Sequence, residues 1–313
     1  MSYGRITNSY LSQTLLGSVM NNQSEYLNMN LQYNSQKKFQ TLSDDPTSVN
    51  KLLTSKNELS KIESYNKNIE LNIAELKTAE ATLGTVKSDI DRVVDLVLGA
   101  SNEINKDSLN VVANDIEEKL KSIVDLANTT YNDKYIFSGA NINTITYAKD
   151  GDEYKYQGTT AADGLDIKFQ ASNNSVLSLN ETGDNIFGEY YTDASGNIVS
   201  TGVIGHVKEV LEDMRATPPD FDKIREKIDV LKKDAENVTY YRTKYGTTIS
   251  TLDNTKTQLA DQKINEESIR STIEDADLID LASRMKYQEL ALQASMISTT
   301  KIMQYSLLNF FGS

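Results

Sequence analysis

The sequence predicts a mainly α-helical chain with a β-rich insertion. The expected architecture is an elongated antiparallel helical, coiled-coil rod, with its terminal helices paired and a small β domain at the far tip. Three observations predict this. Two long runs of regularly spaced aliphatic residues flank one stretch rich in Tyr, Thr and turn residues, and both chain ends are nearly free of charge. With 38% hydrophobic residues, no tryptophan, three prolines and a mean hydropathy of -0.48, the 313-residue chain suits narrow cores better than one thick globule.

At the amino end, Glu25 is the only charge between Arg5 and Lys37. Leu16, Met20, Leu27 and Leu31 recur with an 11-residue period, which keeps one apolar stripe on a nearly straight helix. In "SDDPTSV" (residues 43–49), Asp45 suits an N-cap and Pro46 the first helical turn, so a long helix is expected to start there. Along it, one heptad column reads Leu52, Leu59, Asn66, Ile73, Glu80, Lys87, Val94, and the other Ser55, Ile62, Ile69, Leu76, Leu83, Ile90, Val97. The second column is almost purely aliphatic and argues for a coiled-coil seam, which Gly99 is expected to end. A further helix follows, with Leu109, Ile116 and Ile123 seven apart and Leu120 and Ala127 beside them.

The pattern changes at "KYIFSGANINTITYAKDGDEYKYQG" (134–158), where β-branched and aromatic residues alternate around Asp150-Gly151, a hairpin signal. More strands are expected in "GLDIKFQ" and around Ser195-Gly196. Helical periodicity returns in "VIGHVKEVLEDM", stops at Pro218-Pro219, and resumes with Ile224, Ile228, Leu231, Ala235, Val238, Tyr245, Ile249, Leu252 and Leu259. In "STIEDAD", Ser271 and Glu274 match a capping box, although a continuous helix fits equally. The carboxyl end repeats the 11-residue spacing with Leu281, Met285, Leu292, Met296, Met303 and Leu307. A second stripe runs through Leu290, Ala294, Ile297, Tyr305 and Leu308, and from Leu290 onward Lys301 is the only charge. Two seams of matched length separated by an insertion fold back antiparallel, which brings both ends to one tip. The expected divisions are a terminal helical assembly domain (1–42 and 271–313), a helical rod (43–134 and 204–270) and a β-rich outer domain (135–203).

Composition excludes several functions. With no cysteine there are no disulfides or thiolate metal sites. A net charge of -13 argues against a nucleic-acid partner. Arg5, Lys37 and Lys38 against Glu25, and Arg284, Lys286 and Lys301 against Glu274, Asp275, Asp277, Asp280 and Glu289, cancel between the two ends, so the excess acid lies in 43–270. His206 is the only histidine and reads as a surface residue at a helix start, which leaves no His-based triad or metal cluster. Asp150, Asp152 and Glu153 lack the order of a calcium loop. No phosphate loop or nucleophile elbow is present, and the tyrosines of the β region read as strand packing. No catalytic, cofactor-binding or metal residues are expected. The amino end lacks the features of a cleaved secretory signal, and no run of apolar residues is long enough to span a membrane. What remains is an excess of apolar surface at the termini, which points to subunit contacts through Leu16, Met20, Leu27, Leu31, Leu281, Met285, Leu292, Met296, Met303 and Leu307.

"RITNSYL" (5–11), "LSDDPTSV" (42–49), "IEDADLIDLASRMKYQELALQASM" (273–296) and "KIMQYSLLNFF" (301–311) resemble the terminal signatures of the flagellin-like family. "YIFSGANINTITY" (135–147), followed by "YQG" and "GDNIFG", resembles one branch of it, the hook-filament junction or type 3 hook-associated proteins, in which a Tyr/Phe-x-Phe-x-Gly segment opens the outer domain. The motif positions here are Ser43, Asp44, Asp45 and Pro46, and Tyr135, Phe137 and Gly139. Gln36 departs from the pattern, standing where relatives often carry Gly at a break in the first helix. The resemblance implies a structural protein of the extracellular bacterial flagellum, not an enzyme, exported through a type III apparatus without a cleaved signal. It implies a homo-oligomeric ring between the first hook-associated protein and the flagellin filament, with terminal helices that order fully only in the assembly. The helix over 296–311 is where an export chaperone would grip. The alternative, a filament-forming flagellin, shares the termini but generally lacks the 135–147 segment.

Overall fold

The structure, a computed structural model, describes residues 8–39, 41, 45–100, 106–160, 168–172, 175–178 and 181–311. It divides into two compact units, Met1–Lys61 with Asp261–Ser313, and Ile62–Ala260. The helices are α1 (Asn8–Ser35), α2 (Pro46–Ala100), α3 (Lys106–Ala127), α4 (Gly183–Phe187), α5 (Gly202–Arg215), α6 (Phe221–Glu274) and α7 (Leu278–Phe311). The strands are β1 (Thr130–Tyr131), β2 (Lys134–Tyr135), β3 (Tyr147–Asp150), β4 (Glu153–Tyr156), β5 (Lys168–Ser172), β6 (Ser175–Ser178), β7 (Glu189–Thr192) and β8 (Ile198–Thr201).

In the unit formed by 62–260, α2 and α6 run antiparallel, joined at Glu80–Arg242 (2.6 Å) and Glu70–Lys256 (2.7 Å). The expected aliphatic column is buried along its length, from Ile62 to Val97. A second row, Ala79, Val86, Val93 and Ala100, is buried equally, because α3 and α5 add further layers. Asp89 of α2 accepts from Lys119 (2.8 Å) and Ser122 (2.7 Å) of α3, and Arg215 of α5 meets Glu117 of α3 at 2.7 Å. His206 is no surface residue: half-buried on α5, it sits 2.8 Å from the Asp234 carboxylate of α6 and ties the two helices together.

The β region holds a four-stranded antiparallel sheet of order β3-β4-β7-β8 and two separate two-stranded ribbons, β1-β2 and β5-β6. The hairpin at Asp150-Gly151 pairs Tyr147 with Tyr156 and Asp150 with Glu153. The hairpin near Ser195-Gly196 closes on the Asp193 carboxylate, which accepts from the amides of Ser195 and Asn197, each at 2.8 Å. Period-2 alternation puts Tyr147, Tyr154, Tyr156 and Tyr190 inside.

In the other unit, α1 and α7 pack antiparallel, and the start of α2 meets the end of α6 where Ser55 donates to Glu266 (2.8 Å). Asp45 caps α2, accepting from the amides of Thr47 and Ser48 at 3.1 Å; the Ser48 hydroxyl first, then these amides, hold its carboxyl below the usual range. The chain breaks between α6 and α7. The cap there is Asp277, accepting from the amides of Ile279 (3.0 Å) and Asp280 (3.2 Å), and not Ser271, whose carbonyl stays within α6 bonding. Helix α1 also stops at the position where Gly was absent, since Gln36 itself takes the left-handed conformation with φ 59°.

Candidate functional site

Two sets of sequence-marked residues lie in different units. In the unit of 62–260 the segments "YIFSG", "YQG" and "GDNIFG" converge on one aromatic knot. Phe137 is fully buried, edge-on to Phe187 of α4 with ring centroids 5.1 Å apart. The Tyr156 hydroxyl donates between the Phe137 and Thr159 carbonyls (3.1 Å each). The Tyr147 hydroxyl lies 2.8 Å from the Gly183 carbonyl and 2.7 Å from that of Gly188. Burial pushes the Tyr147 hydroxyl well above its ordinary value, so it remains a proton donor. Gly139 is required by this packing: its φ is +67°, and a Cβ there would stand 2.4 Å from the Thr159 hydroxyl. Tyr135, at the end of β2, is half-buried. The knot is closely packed, and two of its buried polar atoms, the Thr146 hydroxyl oxygen and Asp184 Oδ1, make no protein hydrogen bond.

The terminal pair is different, because a few polar residues face inward among the apolar ones. On α7, Leu281, Met285, Gln288, Leu292, Ser295, Thr299 and Ile302 form a strict heptad that is buried or half-buried; on α1 the matching row is Leu15, Val19, Asn22, Tyr26 and Met29. Asn22 sits in the middle of this seam, donating to Ser295 at 3.2 Å. Gln288 reaches across to the Asn22 carbonyl (3.3 Å) and the Glu25 carboxylate (2.9 Å). Thr299 is 7% exposed and its hydroxyl makes no protein hydrogen bond.

A second set of large apolar residues faces outward. Leu16 is 50% exposed, Met20 63%, Leu27 53%, Leu31 54%, Met296 45% and Met303 43%. Ile279, Tyr287, Leu290 and Ile297 are also exposed. Of the ten residues expected to make subunit contacts, these six lie on the outer face, and Leu281, Met285 and Leu292 lie in the α1–α7 seam. The Leu307 side chain, Ser43 and Asp44 lie outside the described residues. Asp45 and Pro46 start α2. The 11-residue spacing marked apolar residues only, so it missed a seam built partly of Asn, Gln, Ser and Thr. A heptad search that admitted small polar residues finds it.

Among the described residues, no group of three or more His, Asp or Glu side chains is placed to hold a metal, and no helix is long and apolar enough to cross a membrane.

Comparison with known proteins adds the lineage. No curated protein matches the chain. Among solved structures it is similar to a proposed flagellar hook-associated protein from Vibrio parahaemolyticus, with 20% identity, a TM-score of 0.64 and coverage of 74% of this chain and 100% of that one. FlgL of Bacillus cereus gives 23% identity, a TM-score of 0.56 and coverage of 70% and 99%. The flagellar junction protein FlgL from Legionella pneumophila gives 13%, 0.54, and 72% and 100%. At these identities the likeness establishes a shared fold. The model of the bacterial flagellin N-terminal helical region matches residues 6–142 and that of the bacterial flagellin C-terminal helical region matches 228–311, which together take in α1, α2, α3, most of α6 and α7. The chain therefore belongs to the bacterial flagellin family.

Proposed function

We propose that the chain is a structural subunit of the extracellular bacterial flagellum, the adaptor that joins hook to filament. It forms a homo-oligomeric ring, with the first hook-associated protein on one side and flagellin on the other, and has no catalytic role. The observation that carries this reading is the outward apolar face of α1 and α7. A helix pair that keeps Asn22, Gln288, Ser295 and Thr299 inside and Met20, Leu27, Met296 and Ile297 outside is built to be covered by neighbours. Burying each such half-exposed Leu, Ile or Met stabilises the assembly by about 1 kcal/mol at ~25 cal/mol per Å². The junction role, over a filament-forming flagellin, is supported by the knot made from "YIFSG" and "GDNIFG" and by the fold shared with the hook-associated and junction proteins. In this reading residues 1–42 and 271–313 are the assembly module, 43–134 and 204–270 the rod, and 135–203 the outer domain. The helix over 296–311 is the grip for an export chaperone.

The test replaces Met20, Leu27, Met296 and Ile297 together by Ser. Unfolding of the isolated chain is expected to change by no more than about 2 kcal/mol, since surface substitutions are individually within about 0.5 kcal/mol, while attachment to hook fragments is lost. Retained attachment contradicts the reading, and growth of long filaments from the unaltered chain alone assigns it to the filament.

A further inference from the structure

The two helix breaks of the terminal unit lie side by side and are fastened. Residues 37 and 275 form an antiparallel bridge: the Lys38 amide donates to the Glu274 carbonyl (2.8 Å) and the Ala276 amide to the Gln36 carbonyl (2.9 Å). The Gln32 side chain holds the Lys38 carbonyl at 2.8 Å, and the Lys38 ammonium reaches the Thr272 carbonyl. Beneath the bridge stands Glu274, 7% exposed, with one carboxylate oxygen shared by Lys37 (2.8 Å) and Lys56 (3.0 Å); Arg270 approaches the other oxygen at 3.9 Å. A carboxylate this buried is costly without partners, and here they come from two other segments, the α1–α2 connector and α2 itself.

We propose that Glu274, Lys37 and Lys56 form a charge-dependent latch that fastens the break between α1 and α2 to the break between α6 and α7, so that neutralising Glu274 frees the α1–α7 pair to pivot about residues 36–39 and 275–277. The latch sets the angle of the helix pair inside its own unit, and its operation is independent of what covers the outer face. Burial alone would raise the Glu274 carboxyl, but the hydrogen bonds and charges of Lys37 and Lys56 prevail and hold it below the ordinary value of 4.5. A group lowered in the folded state contributes its stabilisation fully above its unfolded value and loses it as pH falls through the folded value. The latch is therefore closed near neutrality and opens in acid. The charged groups around it are Lys37 and Lys38 of the connector, Lys56 of α2, Arg270 of α6, and Asp275 and Asp277 between α6 and α7. Of these only the two aspartates are carboxyls like Glu274 itself, so a variant lacking the Glu274 charge separates their effect.

The experiment follows amide hydrogen exchange at Lys38 and Ala276 in the full chain, corrected for intrinsic rates, with the Phe137 and Tyr147 amides reporting that the other unit stays folded. In Glu274→Gln, protection at both bridge amides is expected to fall about tenfold or more at pH 7, the scale of a lost charged hydrogen bond. The unaltered chain is expected to show the same fall between pH 7 and pH ~3, and Glu274→Gln to show none. Should the variant fail to fold, Lys37→Met with Lys56→Met at pH 7, and the acid titration of the unaltered chain, read the same latch. A smaller fall in the variants, or bridge protection in the unaltered chain that does not change with acid, overturns the proposal.

Discussion

Single residues show where backbone geometry decides and where chemistry does. Gly139 is fixed by geometry: left-handed backbone and a carbonyl and hydroxyl of Thr159 within 3 Å of any Cβ leave no room for another residue. Gly139→Ala is expected to destabilise the unit of 62–260 by about 3 kcal/mol, combining left-handed strain with overpacking; thermal unfolding measures it, and a change below ~1 kcal/mol would show that Thr159 can yield. Gln36 reaches the same region of backbone space without glycine, because its carbonyl is held by the Ala276 amide. Glycine at a helix end is a preference that a good hydrogen bond can replace. His206 was legible only as an isolated histidine, since nothing in the sequence says that Asp234, on another helix, would stand within 2.8 Å.

At the scale of elements, the long helices were readable because their seams are aliphatic. Ile62, Ile69, Leu76, Leu83, Ile90 and Val97 announce both the helix and its buried side. In α1 and α7 the same logic recovered the helices but could not say which apolar row faces the partner helix, because that row is interrupted by Asn22, Gln288, Ser295 and Thr299. The break at 275–277 was equally undecidable from its residues: Ser271, Asp275 and Asp277 are all competent caps, and the choice of Asp277 depends on the bridge to 36–38, a contact of long sequence separation. If the polar layer fixes the register of the pair, replacing Asn22 and Gln288 together by Leu is expected to slow amide exchange along α1 and α7 while permitting more than one alignment, seen as extra cross-helix cysteine pairings in an otherwise cysteine-free chain. A single pairing with unchanged exchange would show that register is set elsewhere, the latch being the nearest alternative.

For the whole molecule, charge and apolar surface are segregated along the sequence. The excess acid behind the net charge of -13 lies between residues 43 and 270, while the two ends balance and carry the outward apolar face. In the proposed assembly, copies of the chain therefore repel through their middles and attract through their ends. Raising salt from ~0.01 to ~0.1 M shortens the screening length from about 30 to about 10 Å, and self-association followed by light scattering is expected to strengthen. Weakening would mean that the ends meet through ion pairs instead of carbon.

The outward apolar face of α1 and α7 also has a calorimetric consequence. Separating these helices uncovers the apolar part of their seam, Leu15, Val19, Met29, Leu281, Met285, Leu292 and Ile302, but not Met20, Leu27 and Met296, which already face water. Melting of the pair accordingly registers the seam in its heat capacity change and leaves the outer face out of it. In the proposed assembly, neighbouring subunits that cover the outer face remove that surface from water and add a negative change of their own. In that assembly part of the heat capacity that most proteins register on folding is deferred to the joint between subunits, and cooling weakens that joint.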